Sequence, residues 1–459
     1  MIVLVHLTVQ ITIKMKLSKT FHLLFVSVFA IPFVSSAQRI EPATINIKAL
    51  IRSITDSLDK HYIFPEKAAG ISVYLQSQLK NNAYNQMLDN PRKLAKQIET
   101  DIHRSHHDLH MRVHYDPDFV PQKMNNQTQE EMANAKRFWT ENNYMFKKVE
   151  VLPGNIGYFP IEGFVEEIKG AKPTITAALK FVSNTKALII DLRKNMGGSP
   201  EMVSLIESYF FKEKSPMNHI INRSENDTTF YYADPAKSDS LFLSMPVYIL
   251  TSKHTFSAAE DFSYGMQMAK RAIIVGDTTG GGAHPQLPFS VGNGFVVSIP
   301  FARSFNPVTK TDWEGTGVIP DVKASADEAL IKAQELIFRQ QLLSTTSQKE
   351  KNINLYYINS LMINKRIIHT SLNKLSLLTG TYGGIVIYLD KNKLYCKNNY
   401  KDGSVSELYN LSNNLFVLDE NAQIEFVKDD KGYFSQIKIL VNDGNIFEEK
   451  RVKLLVKQD

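Results

Sequence analysis

The sequence predicts an α/β protein with a helical segment before its sheet and an all-β segment after it. Between residues 147 and 343 short apolar runs alternate with stretches of helical period. Upstream, apolar residues recur at three- and four-residue spacing; downstream, strand-like runs are separated by Gly, Asn and Asp turns. A chain of 459 residues, 43% hydrophobic and 22% charged, supports two or three cores and excludes wholesale disorder.

The N-terminus has the anatomy of an export signal. From Met15 the chain reads MKLSKT, followed by an apolar run over 21–34 and by Ser35, Ser36 and Ala37. Residues 1–37 are therefore predicted to be a signal peptide cleaved after Ala37, with the mature chain periplasmic or extracellular and Met15 as the true start. The run falls short of the roughly 20 apolar residues of a bilayer span, so no stable membrane span is expected after cleavage. The apolar residues 1–13 leave an uncleaved anchor as the alternative. Loss of Lys14, Lys16 and Lys19 lowers the formal charge from +6 to +3, too little for a nucleic-acid partner. Cys396 is the single cysteine, which excludes an internal disulfide.

Residues 44–120 read as a helical bundle. Ile47, Ile51, Ile54 and Leu58 share one face, as do Ile71, Leu75 and Leu79, and then Leu94, Ile98 and Ile102. Asn90-Pro91 opens the third helix with a cap and a first-turn proline. From Asp108 to Tyr115 the pattern changes: Leu109, Met111 and Val113 alternate with His110, Arg112 and His114, which predicts extended chain. His103, His106, His107, His110 and His114 contain zinc-like spacings, but the alternation and the lack of a His-Glu-x-x-His motif favour solvated polar residues, and no metal is predicted.

The core, 147–343, contains the strand-like runs NIGYFPI, KALIIDL, MPVYIL and RAIIVG, with helices predicted over 174–182, 200–211 and 258–269. Ser325 and Glu328 predict a capping box opening a last helix. A polar connector is expected over 344–373. Runs such as GTYGGIVIYLD, NLFVLD and QIKILVND then predict an antiparallel sandwich or barrel over 374–457, with no reactive cluster and an accessory role.

Four pieces carry chemistry. Ser257, in TSKHTFSAAE, lies between a strand and a helix, where a hydroxyl is held open beside the unpaired N–H groups of a helix start. A helix cap is the bland reading of such a serine. DLRKNMGG, from Asp191, supplies Gly197 and Gly198, whose backbone can approach a bound group closely. VGDTTGGG, from Val275, lacks the Lys-Ser or Lys-Thr of a phosphate cradle. EGTGVIPD begins at Glu314.

In that order the pieces resemble peptidase family S41, which includes tail-specific proteases, the tricorn core protease and the interphotoreceptor retinoid-binding protein repeats. HYIFPEKAA and DLHMRV resemble the retinoid-binding-protein-like branch. The resemblance covers about residues 47–322 and implies a crotonase-like (ClpP-like) α/β core and a serine peptidase acting on a peptide or protein without a cofactor. In many tail-specific proteases a lysine follows the nucleophile in a Phe-Gly-Lys-Gly motif; here Gly282 occupies that position. The tricorn-like arrangement instead implies His110 as the base and Glu314 as its partner. Leu109 stands where that arrangement has a serine, so the implied set is a triad of Ser257, His110 and Glu314. Gly197, Gly198 and Ala258 would form the oxyanion hole. A histidine base implies a rate rising with pH through about 6.5. His284 is a weaker second base.

Two other functions fit the same residues: an apolar-ligand carrier, since the branch includes such modules, and an esterase. About 30 residues separate Tyr115 from Val149, too few for a peptide-binding PDZ module of roughly 80 to 100 residues.

Overall fold

The computed structural model describes residues 45–120, 128–223, 225–361, 370–412 and 414–452. The expected signal peptide and its cleavage point lie outside them. Among the described residues no helix is long and apolar enough to cross a membrane.

Helices α1 (Ile47–His61), α2 (Pro65–Lys80) and α3 (Pro91–Ser105) follow the apolar spacings read above, and Asn90 caps α3 by accepting from the Lys93 N–H. They pack on one another around Ile51, Leu58, Ile71, Leu75, Leu94 and Ile98. Strand β1 (Arg112–Tyr115) leads away from them; α4 (Gln129–Glu141) follows and opens with a Thr128–Glu131 capping box.

The α/β core runs β2 (Glu150–Leu152), β3 (Ile156–Pro160), α5 (Ile168–Phe181), β4 (Ala187–Asp191), α6 (Pro200–Glu207), β5 (Ser215–Asn222), β6 (Asp227–Ala233), β7 (Val247–Thr251), α7 (Ala258–Met268) and β8 (Ala272–Gly276). Strands β9 (Gln286–Gly292), β10 (Phe295–Pro300), β11 (Ala302–Phe305) and β12 (Val322–Lys323) precede α8 (Ala329–Ser344). The central six-stranded sheet has the order β12-β8-β7-β4-β3-β2, parallel except for β2. Both faces are covered, which explains the unbroken apolar runs of its strands. Leu188 and Ile190 of β4 pack under α5, α6 and α7, whereas Ala187 and Ile189 pack under α8.

One expectation is extended and two are corrected. The helical segment shares its core with a sheet of order β1-β10-β9: Ile51, Leu58 and Ile98 pack with Val291, Phe295, Val297 and Ile299. Helix α8 starts at Ala329 and not at the predicted box; Ser325 donates its hydroxyl to Glu328, but no side chain caps the helix. Within the expected connector, α9 (Gln348–Leu361) is a packed helix; residues 362–369 lie outside the description. Tyr357 of α9 stacks on Phe338 of α8, and Tyr356 donates its hydroxyl to the Glu420 carbonyl, so α9 joins the α/β core to the C-terminal sheets.

After α10 (Leu372–Leu378), strands from Gly380–Tyr382 to Ile446–Lys450 form a four-stranded and a five-stranded antiparallel sheet around one core, which includes Leu394, Phe416, Phe426 and Ile437.

Candidate active site

Adjacent parallel strands β4 and β7 each end in a loop that leads into a helix, and side chains pin the two loops together. Thr255 donates its hydroxyl to the Leu192 carbonyl, Ser252 does so to Arg193, and the Phe256 N–H reaches the Asn195 carbonyl. Arg193 is itself fixed by a bidentate pair with Asp191. This brings Gly197 and Gly198 against Ser257. A Cβ on Gly197 would lie 2.8 Å from Ser257 Cβ, and one on Gly198 would lie 1.9 Å from the Phe164 carbonyl oxygen, so both positions exclude a side chain.

Ser257 sits at the N-cap of α7 with φ 54° and ψ −122°, a conformation that costs a non-glycine residue of order 1–3 kcal/mol. A strained strand-to-helix turn is what lifts a serine hydroxyl clear of its surroundings. What holds the turn is Glu260, which is fully buried. Its Oε2 accepts the N–H groups of Ser257 (2.9 Å) and Gly282 (2.8 Å), and its Oε1 accepts the Gly281 N–H (2.7 Å) and the Thr279 hydroxyl. One carboxylate thus couples the serine turn to the glycine loop. The fourth motif joins through the Trp313 indole N–H to the Gly282 carbonyl, the Gly315 N–H to the Gly281 carbonyl, and the Val318 N–H to the Thr279 hydroxyl oxygen.

Glu260→Ala leaves four buried or half-buried donors without an acceptor, at about 1–3 kcal/mol each where water cannot replace it. The expected outcome is a loss of at least about 3 kcal/mol in urea unfolding. An unchanged midpoint would show that the carboxylate does not hold the loop.

Ser257, Ala258, Gly198 and His110 line one cleft of about 560 Å³, walled by β5, β6 and the start of β11. The Gly197 N–H is already given to Asn195 Oδ1 (2.8 Å), whereas those of Gly198 and Ala258 have no acceptor among the described residues. The His110 ring lies against Phe256 with centroids 4.7 Å apart. A Cβ on Gly282 would stand 2.2 Å from Phe256 Cζ and 2.6 Å from His110 Cε1. The imidazole and its aromatic neighbour therefore fill the space a lysine at 282 would need, and among the described residues no lysine lines the cleft.

His110 is placed by Asp108, which sequence reasoning passed over. Buried Asp108 accepts the His110 backbone N–H (3.1 Å), the Tyr62 hydroxyl (3.0 Å) and His284 Nδ1 (2.8 Å). His284 is also buried; it faces Asp108 and does not line the Ser257 cleft, which removes it as a second base. Burial opposes charge on both partners, but their mutual hydrogen bond and attraction win, raising the His284 pKa and lowering that of Asp108. Glu314 accepts the Ala283 N–H (2.6 Å) and lies 3.5 Å from His284 Nδ1; it is not within ion-pair distance of His110. Its Oε1 and His110 Nδ1 are both buried without a partner among the described residues. Burial and then Asp108 push the Glu314 carboxyl up to about 7; burial lowers His110 to about 4, with Asp108 opposing.

Asp108, His284 and Glu314 are the one donor set among the described residues close enough to share a metal, their ligand atoms lying within 4.8 Å of one another. Their chemistry fits an ion-pair network, since His284 Nδ1 is engaged with Asp108. Among the described residues the other histidines form no further donor set: His103 bonds the Met111 carbonyl and meets the His107 ring edge-on (centroids 5.6 Å), and His107 and His114 are exposed.

Residues 155–324 match the family model described as Peptidase family S41, and residues 33–153 match that of the N-terminal domain of Peptidase_S41 in eukaryotic IRBP. The chain belongs to peptidase family S41. The S41 chain is 30% identical over 177 residues to carboxyl-terminal-processing peptidase 2, chloroplastic, of Arabidopsis thaliana, covering 37% of this chain and 33% of that one. It is 25% identical over 175 residues to the carboxy-terminal-processing protease of Bartonella bacilliformis, covering 37% and 38%. It thus spans little more than a third of the length of these curated relatives. Among solved structures it is similar to a chain from Parabacteroides merdae, with a TM-score of 0.46, 19% identity, and coverage of 63% of this chain and 96% of that one.

Proposed function

We propose that this S41 chain is an exported serine endopeptidase in which Ser257 attacks the peptide carbonyl. The observation that carries the reading is the strained turn that presents Ser257 in one cleft with His110 and with the unengaged N–H groups of Gly198 and Ala258. His110 takes the Ser257 proton as the Oγ–C bond forms, and Gly198 and Ala258 donate to the oxyanion. His110 then protonates the leaving amine as the C–N bond breaks, and water attacks the acyl-enzyme by the same route in reverse. Glu314 pairs with the imidazolium during each transfer. Gly197 supports the hole through its close contact with Ser257 and not as a donor.

The acid–base groups give a pH dependence different from the single rise near 6.5 implied by an ordinary histidine. A base must be neutral, and the depressed His110 is neutral at every pH above about 4. Glu314 must be charged to support the imidazolium, and it ionises only as pH rises through about 7. The expected kcat/KM profile rises once near 4 and again near 7, and Glu314→Gln abolishes the upper limb. A single limb near 6.5 that survives in Glu314→Gln would contradict these roles.

Export rests on the basic, apolar and small-residue parts of 1–37. Mass spectrometry of the protein recovered outside the cytoplasm tests it: an N-terminus at Gln38 is expected, and one at Met1 or Met15 would replace cleavage by anchoring.

A further inference from the structure

The Ser257 cleft carries negative charge without a resident cation. Among the described residues its lining includes the carboxylates of Glu166, Glu201 and Asp261, and neither lysine nor arginine. None of the three acids makes an ion pair within 4 Å among the described residues.

Their hydrogen-bond partners are neutral. Glu201 accepts the Tyr231 hydroxyl (3.0 Å) on one oxygen and the Ser199 hydroxyl (2.7 Å) on the other. Asp261 accepts the side-chain amide of Asn218, which is itself held by the Asn306 amide (2.7 Å). Such donors orient a carboxylate and leave its charge uncompensated.

Exposed acids at a rim are ordinarily satisfied by water; Glu166 and Glu201 are both exposed, and of the two Glu201 is the one held in place, by its two hydroxyl donors. Asp261 differs. It lies in the first turn of α7, its N–H bonded to the Ser257 carbonyl (2.9 Å), and both residues line the cleft. It is only partly exposed, and burial pushes its carboxyl up to about 6 against the Asn218 bond, so it remains an anion at pH 8. A charged acid in a half-closed cleft lacks the full solvation that would make it indifferent to a cation. Glu201 lies across the same cleft at the start of α6.

Resting on the reading of Ser257 as a peptidase nucleophile, we propose that this cleft selects peptides carrying a cation beside the scissile bond, a lysine or arginine side chain or a free N-terminal ammonium, with Asp261 and Glu201 as its anionic partners. Glutamine at the same subsite keeps an unbranched polar side chain, one bond shorter than lysine, and removes the charge, which makes it the informative comparison.

The test uses the purified full chain at pH 8 with matched peptides bearing Lys, Arg or Gln at each position flanking the cleaved bond, each with a free and an acetylated N-terminus. Lys or Arg at one position is expected to raise kcat/KM at least tenfold over Gln. That ratio is expected to fall toward one in Asp261→Asn and in Glu201→Gln, two variants on different elements, so misfolding of one leaves the other as a test. Selectivity that survives acetylation assigns the cation to the side chain; selectivity lost on acetylation assigns it to the peptide N-terminus. Equal cleavage of Lys and Gln peptides, or a ratio unchanged in both variants, would overturn the proposal while leaving the peptidase reading intact. Failure to cleave any peptide would overturn the peptidase reading, and the proposal with it.

Discussion

Ser257→Ala is expected to lower kcat/KM on any cleaved peptide by at least about 10⁴-fold, because a catalytic serine acts as a unit with its base and its loss removes covalent catalysis outright. The same change should alter stability by no more than about 1 kcal/mol, the scale of a helix cap. The backbone anchors of the turn, the Ser257 N–H to Glu260 and the Glu260 N–H to the Ser257 carbonyl, do not involve the hydroxyl. Steady-state kinetics beside urea unfolding separates the two effects. Retained hydrolysis would remove Ser257 from the chemistry.

His110→Ala is expected to cost about 10³-fold or more in kcat if His110 is the base, since it is the one imidazole among the described residues lining the cleft. Lys253→Ala, by contrast, should remain within about threefold, the range of a surface substitution away from the chemistry. Lys253 is exposed and does not line the cleft. The packing at Gly282 explains why a lysine at that position and His110 exclude one another: a side chain there would enter the Phe256 and His110 rings. A dead Lys253→Ala variant beside an active His110→Ala variant would reverse the assignment.

What was legible in the sequence was local. The core strands β3, β4, β7 and β8 could be read because each is apolar on both faces, and Ser257 because a strand end, a short loop and a helix start are neighbours in sequence. The order of four motifs then suggested that distant loops meet. What could not be read is how they meet. Glu260 looked like a residue of the first helical turn, and its role depends on donors at Thr279, Gly281 and Gly282, which only the packing of β8 beside β7 brings near. Asp108 and His284 are 176 residues apart, and nothing in either segment announces the pair. The packing of the three helices could be read from their apolar faces, but not that the β1-β10-β9 sheet completes the same core, because β9 and β10 lie far along the chain. Helix α9 was hidden by its polar surface, with Asn352 and Asn354 buried where apolar residues would have signalled a helix.

The most direct measurement of the central claim is intact-mass and peptide mapping of the full chain after reaction with a fluorophosphonate. The expected result is a single adduct on the Ser257 Oγ, absent in Ser257→Ala and formed far more slowly in His110→Ala. Peptide hydrolysis that continues undiminished with Ser257 unmodified, or a single inactivating adduct on another residue, would contradict it.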